Sequence, residues 1–284
     1  MTDSKTVIET SPYPASLGVQ VVRLDAEGAE FVLPFKTENS NPGDALHGGV
    51  AASMINLGGL AVAGEVLGAE AGPFHTASIQ VSYLAAAIGE PIFTEATLLR
   101  RGKELCFVET AVRTEEGKPI ARGLSTVRGR FGAGDAPPLT AAGDDGSSDP
   151  GPMGPVVAGT VPFIGRLGLK FEHMASGTSR ISMPFKEINA NEGGGVHEGA
   201  VLALLDTTGA MAAWAETGPG AYKASTVGVQ AQSIAPAGAD ELIGYGKMIQ
   251  RDREVFWCDV EVASASSGNI VARGTVLYRI VVPE

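Results

Sequence analysis

The chain lacks the residues that announce several common chemistries. It has two cysteines in 284 residues, Cys106 and Cys258, set far apart in Leu105-Cys106-Phe107 and Trp257-Cys258-Asp259. With no C-x-x-C pair, neither a disulfide framework nor a cysteine zinc site is expected. Positive charge is in deficit: 21 Lys and Arg face 32 Asp and Glu, a net charge of −11. That balance argues against a general nucleic-acid binder and against an anionic membrane surface as partner, so any phosphate-bearing ligand needs a local basic patch. The first residues, MTDSKTVIETSPYP, lack the basic start and apolar core of a signal peptide. The most apolar run, Gly48 to Gly64, carries Asn56 and falls short of the roughly 18 residues of a membrane span. No G-x-S-x-G elbow is present, and Gly193-Gly194-Gly195 is not followed by Gly-Lys-Ser/Thr. A serine hydrolase and a phosphate loop are therefore not indicated. A soluble cytoplasmic protein is expected.

What is abundant is small and apolar. Glycine supplies 38 residues and hydrophobic types 44%, a globular composition that excludes disorder and collagen-like repeats. The length suggests two domains at about 150 residues each.

Shifting the chain by 150 residues superimposes it on itself. Pro34-Phe35-Lys36 returns as Pro184-Phe185-Lys186, Asn39 as Asn189, Asn41 as Asn191, Gly43 as Gly193, His47 as His197 and Gly49 as Gly199, which is 8 identities in the 16 positions 34 to 49. Pro12 pairs with Pro162, Leu17-Gly18 with Leu167-Gly168, Gly59 with Gly209, Thr76 with Thr226 and Gln80 with Gln230. Near the end the offset becomes 151, matching Ala121-Arg122-Gly123 to Ala272-Arg273-Gly274. The period is too long for a solenoid, so the chain is read as a duplicated domain, residues 1–131 and 156–284. Between them, 132–155 holds 11 Gly or Pro and 4 Asp in 24 residues without Lys or Arg, and reads as a solvated linker.

Each copy has one order of elements. A hairpin (Val19 to Leu24 and Glu30 to Pro34; Gly168 to Glu172 and Thr178 to Pro184) precedes a polar, Gly-rich loop. One long segment follows, Gly49 to Leu67 and Gly199 to Glu216, apolar nearly all round and so expected as a buried helix. Alternating stretches then predict strands: Thr76 to Leu84, Ile92 to Arg100, Leu105 to Arg113, Ile120 to Phe131 and their counterparts. One central helix wrapped by five or six mainly antiparallel strands, twice, is an α+β architecture.

A constellation recurs where loop meets helix. Asn191, His197, Gly199 and Asp206 in the second copy stand where Asn41, His47, Gly48, Gly49 and Asn56 stand in the first. This pattern resembles the hotdog-fold acyl-CoA thioesterases of the phenylacetate-degradation type: an Asn, then His-Gly-Gly opening the helix, then an acid nine positions after the His. The likeness covers both copies and implies a tandem hotdog whose substrate is an acyl-CoA, hydrolysed to a free acid and coenzyme A without metal or cofactor. It also implies a site built between two units.

A Gly at a helix N-terminus exposes an N–H suited to a developing oxyanion, a role that fits Gly48, with His47 and Asn41 holding the loop and a water. Asp206, an acid inside an apolar helix, is the most conspicuous charge of the chain and a candidate base or nucleophile. His197 and Asp206 are nine residues apart, hence on opposite sides of one helix and roughly 13 Å apart along it. Each site is therefore expected as a hybrid: Asn41, His47 and Gly48 with Asp206, and Asn191, His197 and Glu198 with Asn56. The second lacks its acid and carries Glu198 in place of a Gly, which predicts one working and one degenerate site, with Glu198 as the alternative base. Thr76 and Thr226, each twenty residues after the acid position, match a Ser or Thr that in the resembled family lies near the carboxylate. The resemblance implies that Thr226 accompanies Asp206 and Thr76 the degenerate site; both also suit a strand by propensity alone.

Gly49, Met54, Leu57, Leu60, Leu202, Leu205 and Met211 are expected to line the acyl pocket. Arg100, Arg101, Lys103, Arg122, Arg128 and Arg130 form a loose basic group for coenzyme A phosphates or merely a solvated face. His75 and His173 lie in no repeated motif and read as incidental. A homodimer is expected. The alternatives are an enoyl-thioester hydratase or dehydratase on the same fold, and a non-catalytic acyl-CoA binding module.

Overall fold

The computed structural model describes residues 4–131 and 136–282; residues 132–135 of the inter-copy stretch and both extreme ends lie outside them. The first copy runs α1 (Ser4–Thr10), α2 (Pro12–Leu17), β1 (Gln20–Leu24), β2 (Gly28–Leu33), α3 (Gly48–Leu67), β3 (His75–Tyr83), β4 (Ile92–Arg101), β5 (Leu105–Thr114) and β6 (Pro119–Arg128). The second repeats it as α4 (Met153–Thr160), α5 (Pro162–Leu167), β7 (Lys170–Ala175), β8 (Thr178–Met183), α6 (Glu198–Thr217), β9 (Lys223–Ser233), β10 (Leu242–Asp252), β11 (Val255–Ser264) and β12 (Ile270–Val281).

All strands join one antiparallel sheet of order β1-β2-β4-β5-β6-β3-β9-β12-β11-β10-β8-β7. Helices α3 and α6 pack on each other beneath it. The copies meet where β3 pairs β9, with Gln80 opposite Gln230. These are repeat-equivalent residues, so a local twofold axis passes through that pair, and every contact across it comes in two versions. This is the hotdog fold, twice in one chain.

Both central helices begin in the same way. His47 and His197 hold extended backbone and accept, through their side chains, the N–H of Gly49 and Gly199. Nothing polar interrupts the buried length of α3 except Ser53 and Asn56. Hydropathy therefore spreads round the whole helix, as a sandwiched helix requires. Among the described residues α3 is long and apolar enough to cross a membrane by composition alone. The run read from the sequence as too short extends to Leu67 because Glu65 lies on the outer turn; 72% of its most apolar window is buried within the fold.

The two helices touch at glycine. A Cβ on Gly49 would meet Ala203 Cβ at 2.7 Å, and one on Gly199 would meet Ser53 Cβ at 2.9 Å. Gly49 is thus a crossing point rather than a pocket residue, and Met54 and Leu205, also expected to line the pocket, are fully buried core.

The structure adds two short helices and corrects the reading of the linker. The short helices α2 and α5 were not read from the sequence, although the repeated Pro12/Pro162 and Gly18/Gly168 bracket them: proline opens each helix and a left-handed glycine closes it. The stretch 132–155 is not solvated throughout. Its described part lies across the second copy, with Ala141 N–H donating to Gly268 O and Ala142 N–H to Glu261. Asp144 pairs with the half-buried Arg180. Helix α4 opens within the stretch, at Met153. Acidic residues and free backbone donors find partners on the second copy, which composition alone does not reveal.

Candidate active site between the copies

The loops that deliver the two histidines are held by asparagine, but not by Asn41. Asn39 is buried, donates its amide to Leu17 O at 2.9 Å, accepts from Arg166 and receives His47 N–H on its backbone oxygen. Asn189 repeats the bonds to Leu167 O and from His197 N–H. Asn41 bonds through its backbone to Ala45 across the following turn, and Asn191 accepts Gly195 N–H in the equivalent turn. The repeat contained both asparagine pairs; burial separates the loop-holding pair from the turn-forming pair.

His47 lies against Phe163, their ring centroids 4.7 Å apart. Burial pushes its pKa down to about 4, so the imidazole is neutral and its Nδ1 lone pair accepts Gly49 N–H at 3.0 Å. Val50 and Ala51 N–H bond back to His47 O. Among the described residues this leaves Gly48 N–H as the one donor of the first turn without a partner, directed along the helix dipole. His47 caps the helix start that presents that N–H.

Asp206 enters from α6 of the other copy. A Cβ placed on Gly48 would lie 3.0 Å from Asp206 Oδ2. The other carboxylate oxygen, Oδ1, accepts Thr226 Oγ1–H at 2.7 Å. Burial raises the Asp206 pKa to about 6, with the Thr226 bond opposing. The same glycine is flanked by Tyr83, whose hydroxyl donates to Gly48 O at 3.2 Å. The Tyr83 phenol is held far above its ordinary pKa by burial and then by the Asp206 charge. Tyr278 is pushed to about 12, chiefly by burial, despite accepting a bond from Trp214 Nε1, with the Asp206 charge adding to the rise. Neither tyrosine was found from the sequence; neither has an aromatic counterpart in the other copy, and a motif sought through the repeat passes over unpaired residues.

The twofold-related site is filled differently. Asn56 is fully buried and donates Nδ2–H to Thr76 Oγ1 at 2.7 Å and to Glu198 Oε2 at 2.9 Å. Thr76 N–H lies 3.1 Å and 3.2 Å from the two Glu198 oxygens. His75 Nδ1 stands 2.6 Å from Glu198 Oε1. His75 is therefore not incidental: it is a first-rank partner of this site, overlooked because position 225 of the other copy is serine. Burial alone would raise the Glu198 pKa, but His75, Asn56 and Thr76 outweigh it and hold the carboxyl below its ordinary value. Thr226 donates to a carboxylate, whereas Thr76 accepts from an amide; the hydroxyl serves either partner by rotating.

His173 stays outside both sites, between Thr178 and Ser147. The basic group is dispersed. Arg128 and Arg130 share Glu104, Arg122 meets Glu109, and Arg101 donates to Val66 O. Because β6 pairs β3 with Arg128 opposite His75, Arg128 belongs to the Glu198 side rather than the Asp206 side.

Comparison with known proteins agrees with the architecture. Residues 37–128, within the first copy, match the family model described as the acyl-CoA thioesterase N-terminal domain. A Saccharolobus solfataricus protein that carries a provisional esterase name is 29% identical over 111 residues, 39% of this chain and 77% of its own. Among solved structures, a tesB protein of Mycobacterium avium subsp. paratuberculosis superimposes with a TM-score of 0.70 at 12% identity, covering 96% of this chain and 100% of that one. A hotdog-fold protein of unknown function from Alicyclobacillus acidocaldarius gives 0.67 at 16% identity over the full length of both chains. At such identities the structural likeness establishes a hotdog fold in duplicate, while the stretch 37–128 is similar in sequence to an acyl-CoA thioesterase domain.

Proposed function

We propose that the protein is an acyl-CoA thioesterase with one working hybrid site, formed by Gly48 of the first copy and Asp206 of the second. The observation that carries this reading is the meeting, across the copy interface, of an unpartnered helix-terminal N–H and a buried carboxylate. The thioester carbonyl oxygen would accept Gly48 N–H, which stabilises the charge that grows on it. Asp206 Oδ2 would take a proton from water as the water oxygen bonds to the carbonyl carbon. The carbon–sulfur bond then breaks and the proton passes to the departing thiolate, leaving free acid and coenzyme A. Direct attack by Asp206 on the same carbon is the alternative within this geometry. The step draws only on water, a carboxylate, Thr226 and backbone, so no cofactor enters it. Similarity of residues 37–128 to a thioesterase domain supports the reading. It extends to a cytoplasmic homodimer, for which the outermost strands β1 and β7 offer edges.

The test is thiol release from aromatic and aliphatic acyl-CoAs by the unaltered chain and by Asp206→Asn. Activity in the first, lost by about 10²-fold or more in the second with the fold retained, is the expected result. No thiol release from any substrate would favour a binding module, and activity persisting in the variant would point to Glu198.

A further inference from the structure

The side chain of Glu198 occupies the place that a ligand of the second site would take. It starts at the helix-opening position equivalent to Gly48 and ends among donors supplied entirely by the other copy. These are the Asn56 amide, Thr76 N–H and His75 Nδ1, all within 2.6–3.2 Å of its two oxygens. Asn56 Nδ2–H and Thr76 N–H donate to the carboxylate and His75 Nδ1 stands at ion-pair distance from it, so the cluster is a receptor for an anion of carboxylate shape. The contrast with the first site is chemical. There the helix position presents the Asp206 carboxylate, which repels a second anion; here it presents the Asn56 amide, which attracts one. Asn56 cannot turn round, because its carbonyl would then face the Glu198 carboxylate. Its Oδ1 is buried without a protein donor, while both hydrogens of Nδ2 are given to Thr76 and Glu198.

We propose that the second site is a monocarboxylate-binding site held shut by Glu198 acting as a built-in ligand, rather than a thioester site that has merely lost its acid. The atoms of the Glu198 side chain beyond the backbone, two methylenes and a carboxylate with Cβ as terminus, are those of propionate. The glutamate and His75 side chains are 14% and 13% exposed, so the buried cluster lies close beneath the surface. Removing the side chain should therefore leave a cradle that takes up propionate from solution. This proposal does not depend on catalysis at Asp206, since the binding site forms from different residues.

The experiment is rescue of Glu198→Gly by sodium propionate, read as the shift in thermal unfolding midpoint, with propionamide and sodium chloride as controls. The expected result is a saturable rise of several degrees with propionate in the variant alone, absent for the unaltered chain. It should vanish in the double variant Glu198→Gly, His75→Ala. Equal rises with propionamide, or none with propionate, would overturn the proposal. Benzoate in place of propionate reports whether the cradle admits acids larger than the side chain removed; its failure restricts the class to short acids. Should Glu198→Gly not fold, Glu198→Gln turns a donor toward the cluster's donors; a midpoint equal to that of the unaltered chain would overturn the proposal as firmly. Thiol release is measured nowhere in this test, so failure here and failure of the thioesterase reading stay distinct.

Discussion

At the scale of single residues, Asp206 links the proposed chemistry to stability. Its pKa rises from 3.8 to about 6 on folding because burial disfavours the charged form. The folded chain thus holds an extra proton between those values, and this residue's contribution to stability falls as pH rises through that window. Above about pH 6 the cost is complete, and at 1.36 kcal/mol per unit it amounts to about 3 kcal/mol at most. Asp206→Asn should therefore be more stable than the unaltered chain at pH 8 by up to that amount, the gap closing toward pH 4 in paired chemical denaturation curves. The second site indicates that the exchange is structurally tolerated, since Asn56 and Thr76 already make that bond at 2.7 Å. In the same unaltered chain, kcat/KM should climb with pH through about 6 as the carboxylate loses its proton. A flat profile between pH 5 and 7 would remove Asp206 as base. The acid, the glycine and the threonine were legible because the repeat set each beside its counterpart. His75, Tyr83 and Asn39 were not, for two reasons: the first two have no counterpart, and the third cannot be told from Asn41 without knowing which one is buried.

At the scale of elements, the site depends on how closely α3 approaches α6. Gly49 and Gly199 set that distance by having no side chain. Alanine at position 49 would be the better helix former by about 1 kcal/mol. Overpacking the crossing typically costs about 1–3 kcal/mol, and the added Cβ would sit 2.7 Å from that of Ala203. Gly49→Ala is therefore expected to lower stability and, by parting Gly48 from Asp206, to lower kcat more than it raises KM. Gly64→Ala, on the same helix with only Phe74 within 4 Å of the new carbon, should instead be neutral or stabilising. Equal behaviour of the two variants in thermal unfolding would show that the crossing is not the constraint. The buried helices were readable from hydropathy, but their start was read one residue late. Gly48 and Glu198, the positions that matter most, belong to the first turn, and only the histidine cap fixes that boundary.

At the scale of the whole molecule, duplication in one chain released the two sites from identity. Each copy gives a helix start to one site and a helix interior to the other, so a single substitution alters only one of them. The order of changes then matters. Asn56→Asp alone would set a second carboxylate about 2.9 Å from Glu198 Oε2, where like charges cannot both ionise at little cost. That variant should lose stability at pH 8 and recover part of it on acidification, as one carboxyl takes up a proton. Pairing it with Glu198→Gly removes the built-in ligand and recreates around position 198 the glycine and acid that stand at 48 and 206. If the first site hydrolyses thioesters as proposed, the double variant should release thiol up to about twice as fast per chain at saturation, and it should keep activity when Asp206→Asn is added. Turnover in that triple variant well above the residual level of Asp206→Asn alone is the decisive comparison, because only a working second site produces it. Its absence would mean that the second site lacks something beyond an acid and a glycine, and Tyr83, whose repeat counterpart is Ser233, is the first residue to supply there.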